Sequence, residues 1–300
     1  MSQPLRKKSK LRAGWAPYFF IAPFALTFLV FMVYPLWYSM LLATQQTAGP
    51  AVSRPVGLDN FTYLFTNADF WLAMKNTAIF AAGSLMLQLP ASLGLALLLN
   101  RPDVKARAFW RMIFFAPSLV GMAFVAILAA LIFETNNGLM NQFVGALGLG
   151  IDPDIRWLEI YILPAIILTS FWMYVGFNMV YFLAALQAID KSLVEAAMVD
   201  GAGAWDRFLH VTIPSIRPIG SFIVLLSLIG SFQLFELPYL LLGNGAGPDQ
   251  KGLTVVMLLY QRGFEVGDLG LASAIGWILA MLLVGFALAQ RFLGKSMTGD

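Results

Sequence analysis

The chain contains no cysteine and a single histidine, His210. The first absence excludes disulfides and thiol chemistry, while leaving the redox compartment open. Together the two argue against a zinc or haem site, and no His-Glu-x-x-His or Cys/His cluster offers a catalytic constellation. Charge is equally scarce. Asp, Glu, Lys and Arg make up 12% of the 300 residues, where soluble domains carry about 25%. The net charge of +3 is too small to point to nucleic acid. A nucleotide-binding phosphate loop is missing too. Gly294-Lys-Ser296 has the form of its tail, but Ala289 stands where the first glycine is required.

What is present in excess is apolar surface: 59% of residues are hydrophobic and the mean hydropathy is +0.76. A water-soluble globule could not cover it, so the bilayer is the natural solvent. A crossing helix needs about 20 apolar residues. Six runs qualify, at Trp15–Leu42, Asn76–Leu99, Met112–Phe133, Ile160–Leu186, Ile219–Leu242 and Leu271–Phe292. They are continuously apolar and not alternating, which excludes barrel strands. The pattern predicts an all-α membrane protein of six transmembrane helices. The first run follows Arg6, Lys7, Lys8, Lys10 and Arg12. It is too long, and too poor in a small-x-small cleavage site, for a removed signal peptide, and reads as an uncleaved signal-anchor.

Lys and Arg counts set the orientation. With the N-terminus inside, 14 of the 19 lie on the cytoplasmic side, and only Arg54, Lys75, Arg156, Lys251 and Arg262 lie outside. Both termini are therefore expected in the cytoplasm. The expected organisation is a basic tail at 1–14, one membrane domain at 15–293 and a short tail at 294–300. The external connections are 43–75, 134–159 and 243–270, the first with a short interfacial helix around Asn60–Trp71.

The loop at 187–217 is the most informative segment. Ser192 and Glu195 form the pattern of a capping box, and Gly201 supplies a left-handed stop. Gly203 re-aims the chain, Ala204–Val211 forms a second short helix, and Pro214 is expected to end it. Ala196, Ala197, Met198 and Val199 give this hairpin a small apolar face. Such a face either packs back on the bundle or docks on something else.

Glu195-Ala-Ala197, Gly201 and Pro214 resemble the EAA motif of binding-protein-dependent ABC importer permeases, with Val211 and Ile213 as conservative departures. Gly57-Leu-Asp-Asn-Phe61, Asn76-Thr77, Leu98-Leu-Asn-Arg-Pro102, Gly176-Phe-Asn178, Leu186-Gln-Ala-Ile189 and Gly230-Ser-Phe-Gln-Leu-Phe235 extend the resemblance to the carbohydrate-uptake branch, of the maltose and glycerol-phosphate type. Gly243-Asn-Gly-Ala-Gly-Pro248 departs from that branch's usual Thr-x-Gly-Gly-Pro. The resemblance implies the type I importer permease fold in a bacterial or archaeal cytoplasmic membrane. It implies a second permease subunit, two ATPase subunits carrying ATP and magnesium, and an extracytoplasmic solute-binding protein. This chain would bind no cofactor itself. Glu195, Ala196, Ala197, Met198, Val199, Gly201 and Pro214 would form the coupling segment.

Polar and aromatic groups inside spans are the candidate solute path, since lipid-facing polar groups are costly. They are Trp172, Tyr174, Phe177 and Asn178 in the fourth span and Ser227, Ser231, Gln233 and Glu236 in the fifth. Each is also compatible with ordinary helix–helix packing. For Glu236, with Pro238 expected to kink the helix behind it, a structural or gating role is the reading preferred. A secondary transporter or channel is the rival class, but such proteins typically carry several intramembrane ionisable groups.

Overall fold

The computed structural model describes residues 16–49, 53–147 and 155–298. The basic tail at 1–14 and residues 299–300 lie outside the described residues. Helix α1 (Pro17–Leu42) leads into a short hairpin of β1 (Gln45–Thr47) and β2 (Ser53–Pro55), paired antiparallel with Gln46 opposite Arg54. Next come α2 (Asp59–Thr66), α3 (Ala68–Asn100), α4 (Arg107–Leu119), α5 (Met122–Ile132), α6 (Leu139–Ala146) and α7 (Ile162–Gln187). Helix α8 (Lys191–Val199) precedes α9 (Ala204–Phe232), α10 (Glu236–Leu241), α11 (Val255–Tyr260) and α12 (Leu269–Thr298).

Among the described residues, five helices are long and apolar enough to cross a membrane: α1, α3, α7, α9 and α12. The expected third span is not one straight helix. It is the pair α4 and α5, bent by 100°. Pro117 lacks an N–H and tightens the chain into a 3₁₀ turn, after which Val120 and Gly121 are extended, with ψ of 136° and 141°. The expected fifth span also divides. Helix α9 stops at Phe232, and α10 starts afresh at Glu236. Pro238 therefore kinks nothing, because it sits in the first turn of α10, where its missing N–H has no role. Two boundaries move as well. Helix α3 begins at Ala68 and not at Asn76, started by Asn67, whose side chain accepts from Phe70 N–H at 3.0 Å. The interfacial helix is the shorter α2, and α12 runs on to Thr298.

Two prolines inside long helices are absorbed by a wide turn just before them. The π turns Leu29–Val33 and Phe208–Thr212 precede Pro35 and Pro214, and the residue before each proline bonds the carbonyl five back, Leu29 and Phe208. Widening moves the carbonyl that would otherwise clash with the ring. Pro214 consequently does not end a short helix, contrary to the sequence expectation. Ala204–Phe232 is one continuous run.

The centre of the bundle is α7, with 56% of its apolar window buried, while α1 has none of its window buried and touches the bundle through its Tyr34–Leu42 half, against α12. Helices α3 and α7 lie side by side, tied where Ser92 Oγ donates to the Val175 carbonyl at 2.8 Å. At one end of the bundle Ala96, Leu99, Met179, Phe182, Ile216 and Ile223 form a common cluster. The α8–α9 hairpin lies at this end, and Gln290 of α12 reaches the Ser221 carbonyl of α9. At the other end Asn60 Nδ2 donates to the carbonyls of Ala43 and Gln45 at 2.9 and 2.8 Å. Asn76 Nδ2 likewise holds the carbonyls of Gln250 and Leu253, and Thr77 Oγ1 accepts from Val255 N–H. Buried amides thus pin loops that the helices alone leave unpaired.

Helix α4 crosses α7 at Gly176, where a Cβ would stand 1.8 Å from the Phe114 carbonyl oxygen. Gly176→Ala is expected to destabilise the purified protein by about 1–3 kcal/mol through overpacking. Gly94→Ala, with nothing within 4 Å of its Cβ position, serves as the control. Equal thermal unfolding of the two variants in detergent would remove the crossing argument.

Candidate functional site

Two features stand apart from simple packing. The first is a partly open cavity of about 310 Å³ lined by α3, α5, α7, α9 and α10. Its α7 wall is a helical stripe of Ser170, Tyr174, Phe177, Asn178 and Tyr181, spaced so that all share one face. Its α9 wall repeats the logic with Ile223, Ser227 and Ser231, and the break between α9 and α10 adds Gln233, Leu234, Phe235 and Glu236. That break exposes helix-end carbonyls inside the bundle, which a membrane protein must satisfy. Thr254 does so, its Oγ1 donating to the Leu234 carbonyl at 2.7 Å while accepting from Met257 N–H to start α11. Phe235 is held between two rings, stacked on Tyr239 at 5.1 Å and tilted against Tyr260 at 5.0 Å.

Seven of the eight sequence candidates for the path meet here: Tyr174, Phe177, Asn178, Ser227, Ser231, Gln233 and Glu236. Trp172 does not. It lies two residues from both Ser170 and Tyr174, about 200° around the helix. It faces instead a separate apolar groove with Gly94, Leu98, Phe114 and Pro117. The sequence reading missed Gln88 of α3, and also Ser170 and Tyr181. Gln88 and Ser170 are polar residues inside spans, so the rule used for the others would have found them. Among the described residues, no protein group hydrogen-bonds the side chains of Gln88, Ser170, Asn178 or Ser231, although all four are buried. Buried polar groups in proteins are normally paired. Convergent unpaired amides and hydroxyls beside aromatic faces are a surface suited to a polyhydroxylated solute.

The second feature is the hairpin of α8 and the start of α9. The capping box expected at Ser192 and Glu195 is not formed. Asp190 is the cap, its Oδ1 accepting from Ser192 N–H at 2.9 Å, and that bond holds its carboxyl below the usual aspartate range. The stabilisation is present above the ordinary aspartate pKa and is lost as pH falls through the depressed value. Glu195 is thereby freed from capping and projects from an exposed helix with no buried residue. Gly201 does supply the left-handed stop, at φ +82°. Ala202 N–H bonds the Ala197 carbonyl and Gly201 N–H that of Met198, at 2.9 and 3.1 Å, the paired bonds of a Schellman turn. Val199 is 88% exposed and Met198 48%, as is Trp205 at 67%. Exposure of large apolar groups off the membrane spans marks an interaction surface. Trp205 was overlooked from sequence, although an indole in an aqueous loop was signal enough. Ala196 is exposed and Ala197 half-buried on the same helix, while Pro214 lies on α9 beyond the π turn.

Among the described residues no group of His, Cys, Asp and Glu could hold a metal ion.

Comparison with known proteins gives a consistent result. Residues 88–299 match the family described as binding-protein-dependent transport system inner membrane component. The arabinooligosaccharides transport system permease protein AraP of Bacillus subtilis is 36% identical over 95% of this chain and 90% of its own length. The sn-glycerol-3-phosphate transport system permease protein UgpA of Pectobacterium atrosepticum is 32% identical, over 95% of this chain and 96% of its own. Among solved structures, a bacterial ABC transporter involved in the import of the acidic polysaccharide alginate matches with a TM-score of 0.80 and 25% identity, covering 95% of this chain and 96% of that one. On the extent of the family match and of these likenesses, the chain belongs to the inner-membrane components of binding-protein-dependent transport systems, the permeases of ABC importers.

Proposed function

We propose that this chain is one of two permease subunits of an ATP-driven importer, moving a sugar or sugar-like solute inward across a bacterial or archaeal cytoplasmic membrane. One observation carries the reading: α9 is a single helical run from the exposed hairpin to the cavity wall. A force applied at Glu195, Ala196, Ala197, Met198, Val199 and Gly201 is transmitted along a rigid element, past Pro214, to Ser227 and Ser231. The arabinooligosaccharides in one relative's name agree with the cavity's hydroxyl- and amide-rich lining.

In this reading there are six spans, the bent pair α4–α5 forming the third. The end of the bundle bearing the hairpin and the end of α12 faces the cytoplasm, because most of the lysines and arginines among the described residues lie there. Both termini are then inside. Two separate ATPase subunits, with ATP and magnesium bound to them, dock on the hairpins of this chain and of a similar second permease. An extracytoplasmic binding protein delivers solute from the opposite side, and lipid covers the outer helix faces. The chain is a non-catalytic subunit, holds no cofactor of its own and has no nucleic-acid partner. A secondary transporter or channel is the alternative, for which the lone Glu236 in the cavity offers little ion-coupling chemistry.

The test is uptake of radiolabelled oligosaccharides into proteoliposomes containing the whole assembly. Uptake is expected to require internal ATP and external binding protein and to ignore ionophores. Uptake driven by an ion gradient without ATP would instead establish the secondary-transporter reading.

A further inference from the structure

The cavity carries polar groups of every kind except a cation. Its lining has the amides Gln88, Asn178 and Gln233, several hydroxyls, and one carboxylate, Glu236; no lysine, arginine or histidine is among the described residues that form it. Sites for phosphate or carboxylate are built from arginine, lysine or converging backbone N–H groups, because an anion taken from water into a bundle needs a charged or strongly donating partner. Here the described cations lie elsewhere, and several are engaged. Arg262 pairs with Asp69, Lys251 with Asp249, and Arg111 donates to the Leu99 carbonyl at the hairpin end. Among the described lining residues, the formal charge that an anionic solute would meet is that of Glu236, of its own sign.

We propose that the cavity selects by charge: it accepts uncharged glycans and excludes uronates and phosphate esters, and Glu236 is the residue that sets this preference. The proposal rests on the cavity being the solute path. It narrows the substrate class within a family whose relatives include carriers of both kinds. Two like charges about 8 Å apart, at an effective dielectric of about 20, disfavour binding roughly thirtyfold. Uncharged hydroxyls lose nothing, since Glu236, Gln88 and Asn178 all hydrogen-bond them. The position of Glu236 suits this role. It stands where the break between α9 and α10 turns the chain into the cavity, and its exposure within the chain leaves the carboxylate accessible to solute.

The test uses the assembled transporter, both permeases with their ATPases, in lipid nanodiscs and without the binding protein, so that delivery does not filter the solutes. Arabinobiose, lactose, cellobiose, digalacturonate and glycerol 3-phosphate are titrated by calorimetry. At least one neutral disaccharide is expected to bind, with both anions at least tenfold weaker. In Glu236→Gln the ratio of neutral to anionic affinity is expected to fall to about threefold or less. The ratio is the readout, so a general loss of affinity in the variant does not imitate the effect. An anion binding within threefold of the best neutral sugar in the unaltered protein would overturn charge selection and leave the sugar path standing. A gap that persists in Glu236→Gln would overturn the role of that residue. Absence of binding by every solute would remove the path reading itself, and this proposal with it.

Discussion

Gly201→Val is expected to abolish ATP-dependent uptake while leaving the membrane bundle folded. Gly201 sits at φ +82°, a region that costs an L-residue about 1–2 kcal/mol and a β-branched one more. The Schellman turn it closes sets the angle between α8 and α9, so a strained replacement re-aims the exposed face of Met198, Val199 and Trp205. Nothing in α8 is buried, so the melting temperature of the purified permease should hardly move. The ATPase subunit should no longer co-purify, and ATP hydrolysis should lose its response to solute. Glu195→Ala is the companion variant. Because Asp190 and not Ser192 starts the helix, removing Glu195 leaves the helix start intact. A loss of ATPase binding there reports a contact and not a melted hairpin. Retention of a fully coupled ATPase by both variants would end the coupling assignment.

The second large effect is expected in the cavity, and it separates two neighbouring aromatics. Tyr174→Ala should lower the maximal uptake rate at least tenfold, as should Asn178→Leu. Each removes a stacking face or a hydrogen-bonding amide from the wall, and one hydrogen bond contributes about 0.5–1.5 kcal/mol. Trp172→Ala should leave uptake within about twofold of the parent, because its ring faces the apolar groove on the far side of α7. ATPase co-purification should be unchanged in all three. The comparison is sharp because the sequence alone places Trp172 and Tyr174 together. If Trp172→Ala abolishes uptake and Tyr174→Ala does not, the path runs along the other face of α7.

The contrast between those two residues shows where one-dimensional reading loses its grip. Polarity within an apolar run identifies residues that are costly to expose to lipid, and it singles out Tyr174, Asn178, Ser227, Ser231, Gln233 and Glu236, which line one cavity. It does not say which face of the helix they share. A check of helical spacing would have set Trp172 aside, and the same polarity rule would have added Gln88 and Ser170. The Asp190 cap was harder. Asp190 and Ser192 are both good caps two residues apart, and the side-chain bond to Ser192 N–H decides between them only once the backbone is built.

Membership of the bilayer, the presence of several helices apolar enough to cross it, the charge asymmetry and the glycine stop of the hairpin were all determined by the sequence. Each is a local property: run length against hydrocarbon thickness, charge against its flanking loop, or backbone freedom at one residue. The 100° bend between α4 and α5, the end of α9 at Phe232 and its continuity through Pro214 were decided only by tertiary structure. A helix can stop inside a membrane only if its freed carbonyls find donors, and here Thr254, twenty residues beyond Leu234, supplies one. The same holds for the cavity. Its polar groups come from separate helices, and only the packing of α3, α7, α9 and α10 brings them to face one space.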